Sequence, residues 1–497
     1  MSKRAVAMAC GLLVLASASL AAAVCGGGEQ RKPAQPADSG VKYNAQGQAV
    51  QQGGNTIPEW VAKLGEGQPA DQANAARTLG RIGKPAVEAT APLKAKLQSA
   101  DENLRVQAAV AMVRLGDRSA EAVEALGKAL RGEQTELRVV AAELLGSMGA
   151  DAAPAVAALV ALLDDPGDLV KEKAIAALGQ IGPPAYPALV TALEDPDRKV
   201  HEPAGAILAK AGPEVVGPLA APAKSRDELV RQRACVLLVK HGRAGVPALL
   251  EALKSPDQAV RMTAVTYLKE LGKDAEPALP QLIDALKDTN THVCNEAQAT
   301  LVKIGPPATK ALIAKLDDPN PLVRKLATDA LAQVGQPAVE ELTKALKSKS
   351  ELARTHAAAA LVQLNAAPAE ALPVLLAGLK SSQNDLVVLS ARTLAEAKPD
   401  LKAHVGELVA ALSGPDKQAR IYIVTAIQNA GPVAKAAVPA LIKLLDEKDE
   451  QTVIAALNAL RAMGKDAAAA IEKVKKLTDH DNPRIAVAAD DARKAIQ

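Results

Sequence analysis

A glycine recurs along this chain at nearly constant intervals: Gly83, Gly116, Gly149, Gly182, Gly212, Gly242, Gly272, Gly305 and Gly335, then Gly431 and Gly464. Asn365 and Lys398 stand in the phase between the two runs. Every step is 30 or 33 residues, and Gln497 ends the chain 33 residues beyond Gly464. Self-similarity at such a period marks a tandem array, in which each unit buries its apolar face against its neighbours. The pentapeptide IGPPA at Ile181–Ala185 recurs at Ile304–Ala308, 123 residues on. That separation is three steps of 30 and one of 33, so the Gly-Pro-Pro is a joint between units. It also lacks the Gly-Lys-Ser/Thr context that a phosphate cradle needs.

Each unit reads as two helices. Asp165, Asp195, Asp288 and Asp318 each stand 17 residues before their glycine. The stretch ahead of that Asp is 16 residues after Gly149 and Gly272 but 13 after Gly182 and Gly305. The second half of the unit is therefore constant. The spacing predicts that the first helix varies by about one turn, which a period of 3.6 tolerates. In the second helix, Val323, Ala327, Ala330, Leu331 and Val334 recur at steps of mostly three and four. Four residues before the phase position stand Leu145, Leu178, Leu208, Leu238, Leu268, Leu301, Leu331, Leu361, Leu394 and Leu460, which predicts one core slot per unit. The glycine fits a left-handed position closing the second helix, and proline fits the start of the next. Asn365 is the next-best residue for that conformation, whereas Lys398 is strained there.

The composition agrees with thin layers of closely packed helices. Half of the 497 residues are hydrophobic, yet there is no Phe, one Trp (Trp60) and four Tyr, so Ala, Leu and Val supply the apolar surface. A net charge of +3 does not favour nucleic acid as a partner. Cys235 and Cys294, the two cysteines beyond the leader, form neither a disulfide framework nor a zinc spacing.

Residues 1–25 read as a secretory signal peptide: Lys3 and Arg4, then an apolar run of small residues from Ala5 to Val24. Two exits stand open. Ala21 and Ala23 offer a site for ordinary cleavage, and Ala22-Ala23-Val24-Cys25 resembles a lipoprotein box with Cys25 as the lipidated residue. Residues 26–55 are Gly, Gln, Pro and Ala without periodicity, and read as a flexible tether with a reach of about 30 Å. Residues 56–497 then hold the array. Export places it in the periplasm or cell envelope, with the membrane reached only through a lipid anchor.

The pattern carried by Val260-Arg261, Leu322-Val323-Arg324, Ile304-Gly305 and Asp317-Asp318-Pro319 resembles HEAT repeats, in the short bacterial form named after phycobilisome lyase subunits. The resemblance covers about residue 56 onward, as thirteen full units and a partial first one. It implies an all-α, right-handed α-solenoid of about fourteen two-helix repeats, and a role as an interaction scaffold. His201-Glu202 resembles the His-Glu motifs of deoxyhypusine hydroxylase, a di-iron HEAT enzyme. That family needs four such pairs, and the matching phases here carry Lys171-Glu172 and Asn295-Glu296. No metal or other cofactor is expected. The remaining histidines read as surface or ladder residues.

Eleven residues before the phase position runs a ladder of Arg105, Arg138, Arg231, Arg261, Arg324, Arg354 and Arg420, with Lys171, His201 and Cys294 on other rungs. An anion-binding stripe is one reading. The favoured one is an inter-repeat brace, each Arg bonding the Asp six residues earlier or its equivalent next door. Two residues before the phase position runs a polar row whose middle leans basic, with Arg114, Lys210, Lys240 and Lys303 as candidate partner-binding residues. The sequence thus points to a non-catalytic scaffold that binds protein partners in a concave helical groove. An enzyme or enzyme accessory of the same class, and a purely structural envelope spacer, are the rivals.

Overall fold

The computed structural model describes residues 41–43, 49–52, 54–366, 368–397 and 400–497. The leader, Cys25 and Lys398 lie outside the described residues. Fourteen helical pairs follow one another, from Ile57–Lys63 with Pro69–Ile82 to Ile471–Leu477 with Pro483–Ile496. The protein is an all-α solenoid. Every second helix is 13 or 14 residues long. Asp or Asn most often opens it: Asp101, Asp197, Asp227, Asp257, Asn290, Asn320, Asp416, Asp449 and Asn482 each accept a backbone N–H of the first turn. All ten leucines of the predicted core slot are 0% exposed. Each such burial is worth about 1.5–3 kcal/mol.

The reading of 26–55 as an aperiodic tether is corrected over its last part. Val41–Tyr43 (β1), Ala49–Gln52 (β2) and Asn55–Thr56 (β3) form an antiparallel sheet in chain order. Val and Tyr favour strands, and Gly54 at φ 82 makes the tight turn into β3. The middle strand lies against the helix Pro69–Ile82. Trp60 closes the first core, 8% exposed, with the Lys63 ammonium 4.6 Å from its ring centre.

All but one of the described glycine and asparagine joints with both angles known fall into two kinds, where the sequence predicted one. At Gly116 the backbone is left-handed (φ 103, ψ 6), and the N–H of Asp117 reaches back to the Met112 carbonyl at 2.9 Å. Asn365, at φ 51, closes its helix in the same way, with Ala366 N–H on the Leu361 carbonyl. Most of the other joints take φ near +70° with ψ near −140°: Gly182 has φ 72 and ψ −136, and Gly335 has φ 84 and ψ −147. This is the mirror image of the β region, which a Cβ forbids. Gly212 departs from both, at φ −71 and ψ 178, because Ala211 already turns the chain. Gly182→Asn is therefore expected to destabilise the array by about 1–3 kcal/mol. Asn365→Gly should shift the urea midpoint little. Equal shifts would show that the two joints share one geometry.

The three-residue length variation sits in the joint, not in the first α-helix as predicted. Units of 33 residues enter through 3₁₀ segments such as Gly149–Ala155, Gly272–Ala278 and Gly431–Ala437. Units of 30 enter through Pro183–Ala185, Pro306–Ala308 or Gln336–Ala338. A 3₁₀ helix has three residues per turn, so the gain or loss is one whole turn and leaves the register intact. After the left-handed joints the same residues lengthen the first helix instead, to Ala120–Ala129 and Pro368–Gly378.

At most junctions the second helices of adjacent units pack on one another more extensively than the first helices do, the helix Arg198–Lys210 being the exception. Small residues allow it. A Cβ at Gly80 would lie 2.8 Å from Cα of Ala111, and one at Gly146 would lie 2.9 Å from Cα of Ala177. A stack packed closer on one side bends toward that side, so the second helices line the inner face.

Candidate partner-binding face

The arginine ladder is a brace, with one correction. In six of the seven rungs Nη1 donates to two main-chain carbonyls of the turn before the arginine's own helix, not to an Asp side chain there, while Arg420 bonds only Glu447 among the described residues. Arg105 bonds Ser99 and Ala100 (2.7 and 2.8 Å), Arg261 bonds Ser255 and Pro256 (3.0 and 2.9 Å), and Arg324 bonds Asp318 and Pro319 (2.7 and 3.1 Å). His201 Nδ1 and Cys294 Sγ keep the same kind of bond, to the carbonyls of Asp195 and Asp288. The other side of the guanidinium reaches the next unit. Where that unit carries an acid at the turn, an ion pair forms: Arg138 with Asp165 at 3.0 Å, Arg261 with Asp288 at 2.7 Å, and Arg420 with Glu447 at 3.0 Å. The hydrogen bond that Arg261 donates to Asp288 holds the Arg261 pKa above its ordinary value. Burial would raise the Asp288 carboxyl, but the bonds from Arg261 and the Asn290 N–H outweigh it and the pKa falls.

Three rungs meet a Ser in place of the acid, Ser255, Ser348 and Ser381, and at the first two the Arg Nε turns to a neutral acceptor 32 residues on. Arg231 donates to Thr263 Oγ1 at 2.9 Å and Arg324 to His356 Nε2 at 3.3 Å. The His356 ring then donates from Nδ1 to Thr328 Oγ1 (2.8 Å), which donates to the Arg324 carbonyl (2.8 Å). His356 was expected at the surface or in the ladder; it is 5% exposed and joins the ladder through Arg324, two residues past the rung position of its own helix. Burial first, and then the Arg324 charge, push its pKa down to about 4, so it is neutral at pH 7. Arg324 Nη2 pairs with Asp385, two units away.

The residues with chemical potential elsewhere are occupied. Glu202 pairs with Arg198 at 2.6 Å, and His201 is a ladder rung. Among the described residues no three His, Cys, Asp or Glu side chains are placed to share a metal. Cys235 and Cys294 are free thiols, and burial pushes the first up to about 12, far from a reactive thiolate.

Arg114, Lys210, Lys240 and Lys303 are all exposed, and none makes an ion pair or side-chain hydrogen bond among the described residues. The Lys303 side chain lies beside Gly272, 3.9 Å from where its Cβ would be. The row therefore follows the rim formed by the C-terminal ends of the second helices. The register alone located it. What the register did not flag is that the acid position is irregular, with Ser255, Ser348 and Ser381 among its occupants, and that Arg392 stands where adjacent units carry Ala359 and Thr425.

A family profile described as HEAT repeats matches residues 123–209, 216–302, 309–395 and 405–491, more than half of the chain. No curated protein matches the sequence at a significant level. Importin beta crystallised in ammonium sulfate aligns with a TM-score of 0.41 and 14% identity, over 88% of this chain and 73% of that one. Kap95p, solved in a study of its binding to RanGDP, gives 0.40 and 14%, over 89% and 72%. Kap121p bound to Pho4p gives 0.34 and 14%, over 85% and 56%. With four matched segments and a glycine-phased stack of helical pairs, the chain belongs to the HEAT-repeat family.

Proposed function

We propose that this protein is an exported, non-catalytic scaffold of the short phycobilisome-lyase-like HEAT form, which holds a protein partner along its second-helix face. The supporting observation is the rim row: Arg114, Lys210, Lys240 and Lys303 are cations at one phase of different units, exposed and unpaired. A line of uncompensated cations favours an acidic peptide surface and steers its approach. Lys3, Arg4 and the apolar run to Val24 support export, with Cys25 as the lipidation candidate.

Replacing Lys210, Lys240 and Lys303 together by Glu is expected to weaken capture of the principal partner about tenfold or more at low salt, without change in helicity. The difference should shrink as salt rises, because exposed charges more than about 10 Å apart are largely screened at 0.1 M. Partners come from affinity capture on envelope extracts followed by mass spectrometry. Equal capture by the triple variant at low and high salt would move the site off this rim.

A further inference from the structure

The second helices of the ninth, tenth and eleventh units enclose a cavity of about 300 Å³, lined by Pro321, Arg324, Lys325, His356, Asn384, Asp385, Val388, Leu389 and Arg392. First helices contribute nothing to it, so it opens on the inner face. Its charges do not cancel. Lys325 is paired with Asp329 at 2.8 Å, and Asp385, the cavity's own carboxylate, is held by Arg324. Arg392 is left over. Its Nε is buried without a hydrogen-bond partner, and its guanidinium enters none of the ion pairs among the described residues. Two other arginines have an unbonded buried Nε, Arg138 and Arg420, but each lies 3.0 Å from a carboxylate, Asp165 or Glu447. Arg392 alone of the three has no acid.

The reason for the surplus is visible in the register. The eleventh unit has Val387 on the ladder rung, so it lacks the brace Arg, and carries Arg392 five residues further along the same helix. The network Arg324–His356–Thr328 holds the cavity wall rigid from the neighbouring units. Val388, Leu389 and Pro321 give it apolar sides. Such a site, apolar with one convergent cation and neighbouring donors from Asn384 and Arg324, is shaped for a carboxylate on a short aliphatic stem.

We infer that this cavity receives a glutamate or aspartate side chain of the partner, its carboxylate on the Arg392 guanidinium, so that one acidic residue of the bound segment is anchored here. The inference rests on the reading of the second-helix face as the partner face.

The probe is a fluorescein-labelled peptide of alternating Glu and Ser, with its Gln counterpart, titrated against the whole chain by anisotropy. Arg392→Gln should weaken binding of the Glu peptide about tenfold to a hundredfold, and Arg392→Lys should restore part of it. Circular dichroism checks that both variants fold. The Gln peptide should bind neither form well. A second readout is local: a carboxylate on Arg392 offsets a cation that, with burial and Arg324 and against Asp385, depresses His356. The His356 ring signals, followed by NMR at pH 7, should shift on saturation with the Glu peptide and not with the Gln peptide. Unchanged affinity in Arg392→Gln, or an unmoved His356, overturns the inference. If the rim triple variant then still weakens binding, the scaffold reading survives without it. Failure of the Glu peptide to bind the natural chain overturns both. Displacement of the peptide by inorganic phosphate at equal concentration would make the site one for a free anion and overturn the peptide assignment.

Discussion

Arg261→Ala is expected to weaken the interface between the seventh and eighth units by about 3–5 kcal/mol, the usual cost of removing one partner from a buried pair. The guanidinium meets Asp288 at both oxygens (2.7 and 2.9 Å), and the two side chains are only 14% and 10% exposed. Alanine leaves Asp288 without its countercharge and strips the carbonyls of Ser255 and Pro256 of their donor. Because an array is stabilised by nearest-neighbour terms, the loss should appear as one urea transition splitting into two. Asp288→Ala added to Arg261→Ala should recover part of the loss. An unsplit transition within about 0.5 kcal/mol of the natural protein would remove the brace from the account of stability. The pH dependence has a defined sign. The folded Asp288 pKa lies below its ordinary value. Its contribution is therefore complete above about pH 4 and is lost as the pH falls through the lower folded value. Acid should melt the natural chain toward Arg261→Ala and change the variant less.

Removal of residues 465–497 is expected to turn a monodisperse chain into an aggregating one. The last unit buries Val474, Ile485, Ala489, Ala492 and Ile496 against its neighbour and presents charge outward. Arg493 and Lys494 both reach Asp490 at 2.6 Å, Arg461 reaches Asp491 at 3.4 Å, and Lys473 pairs with Asp446. Without it, Leu457, Leu460 and Met463, now at most 2% exposed, face water on an open helical layer. An apolar patch of several hundred Å² is an association site. Light scattering and size exclusion decide the matter, and a truncated chain that stays monomeric would show that the thirteenth unit can end the stack unaided.

The fold was legible because its grammar is periodic. A phase position that is glycine in all but Asn365 and Lys398, with a leucine four residues earlier in most units, located the units and the core slot. The kind of joint was less legible. Gly116 and Gly182 are the same letter, yet one is left-handed and the other is in the mirror-β region, and only Asn365 betrays in sequence which geometry its unit needs. The ladder was visible as a spacing, but its carbonyl acceptors were not, since backbone groups carry no letter. The burial of His356 was not legible because it depends on what lies 32 residues away: Arg324 needs an acceptor where Ser348 replaced the acid. The strands at Val41–Gln52 escaped because three or four residues among Gly and Gln are too short to show alternation.

The 3₁₀ entry turns separate two metrics in one molecule. Gains and losses of three residues are absorbed where the chain climbs into a first helix, while the second helices keep 13 or 14 residues throughout. Nine nucleotides can thus enter or leave a gene of this kind without disturbing the inner face. The outer layer is free to drift in length, and the inner one remains a ruler with evenly spaced marks. An extended ligand lying along it would meet the same interval at each unit, so specificity can be rewritten one mark at a time.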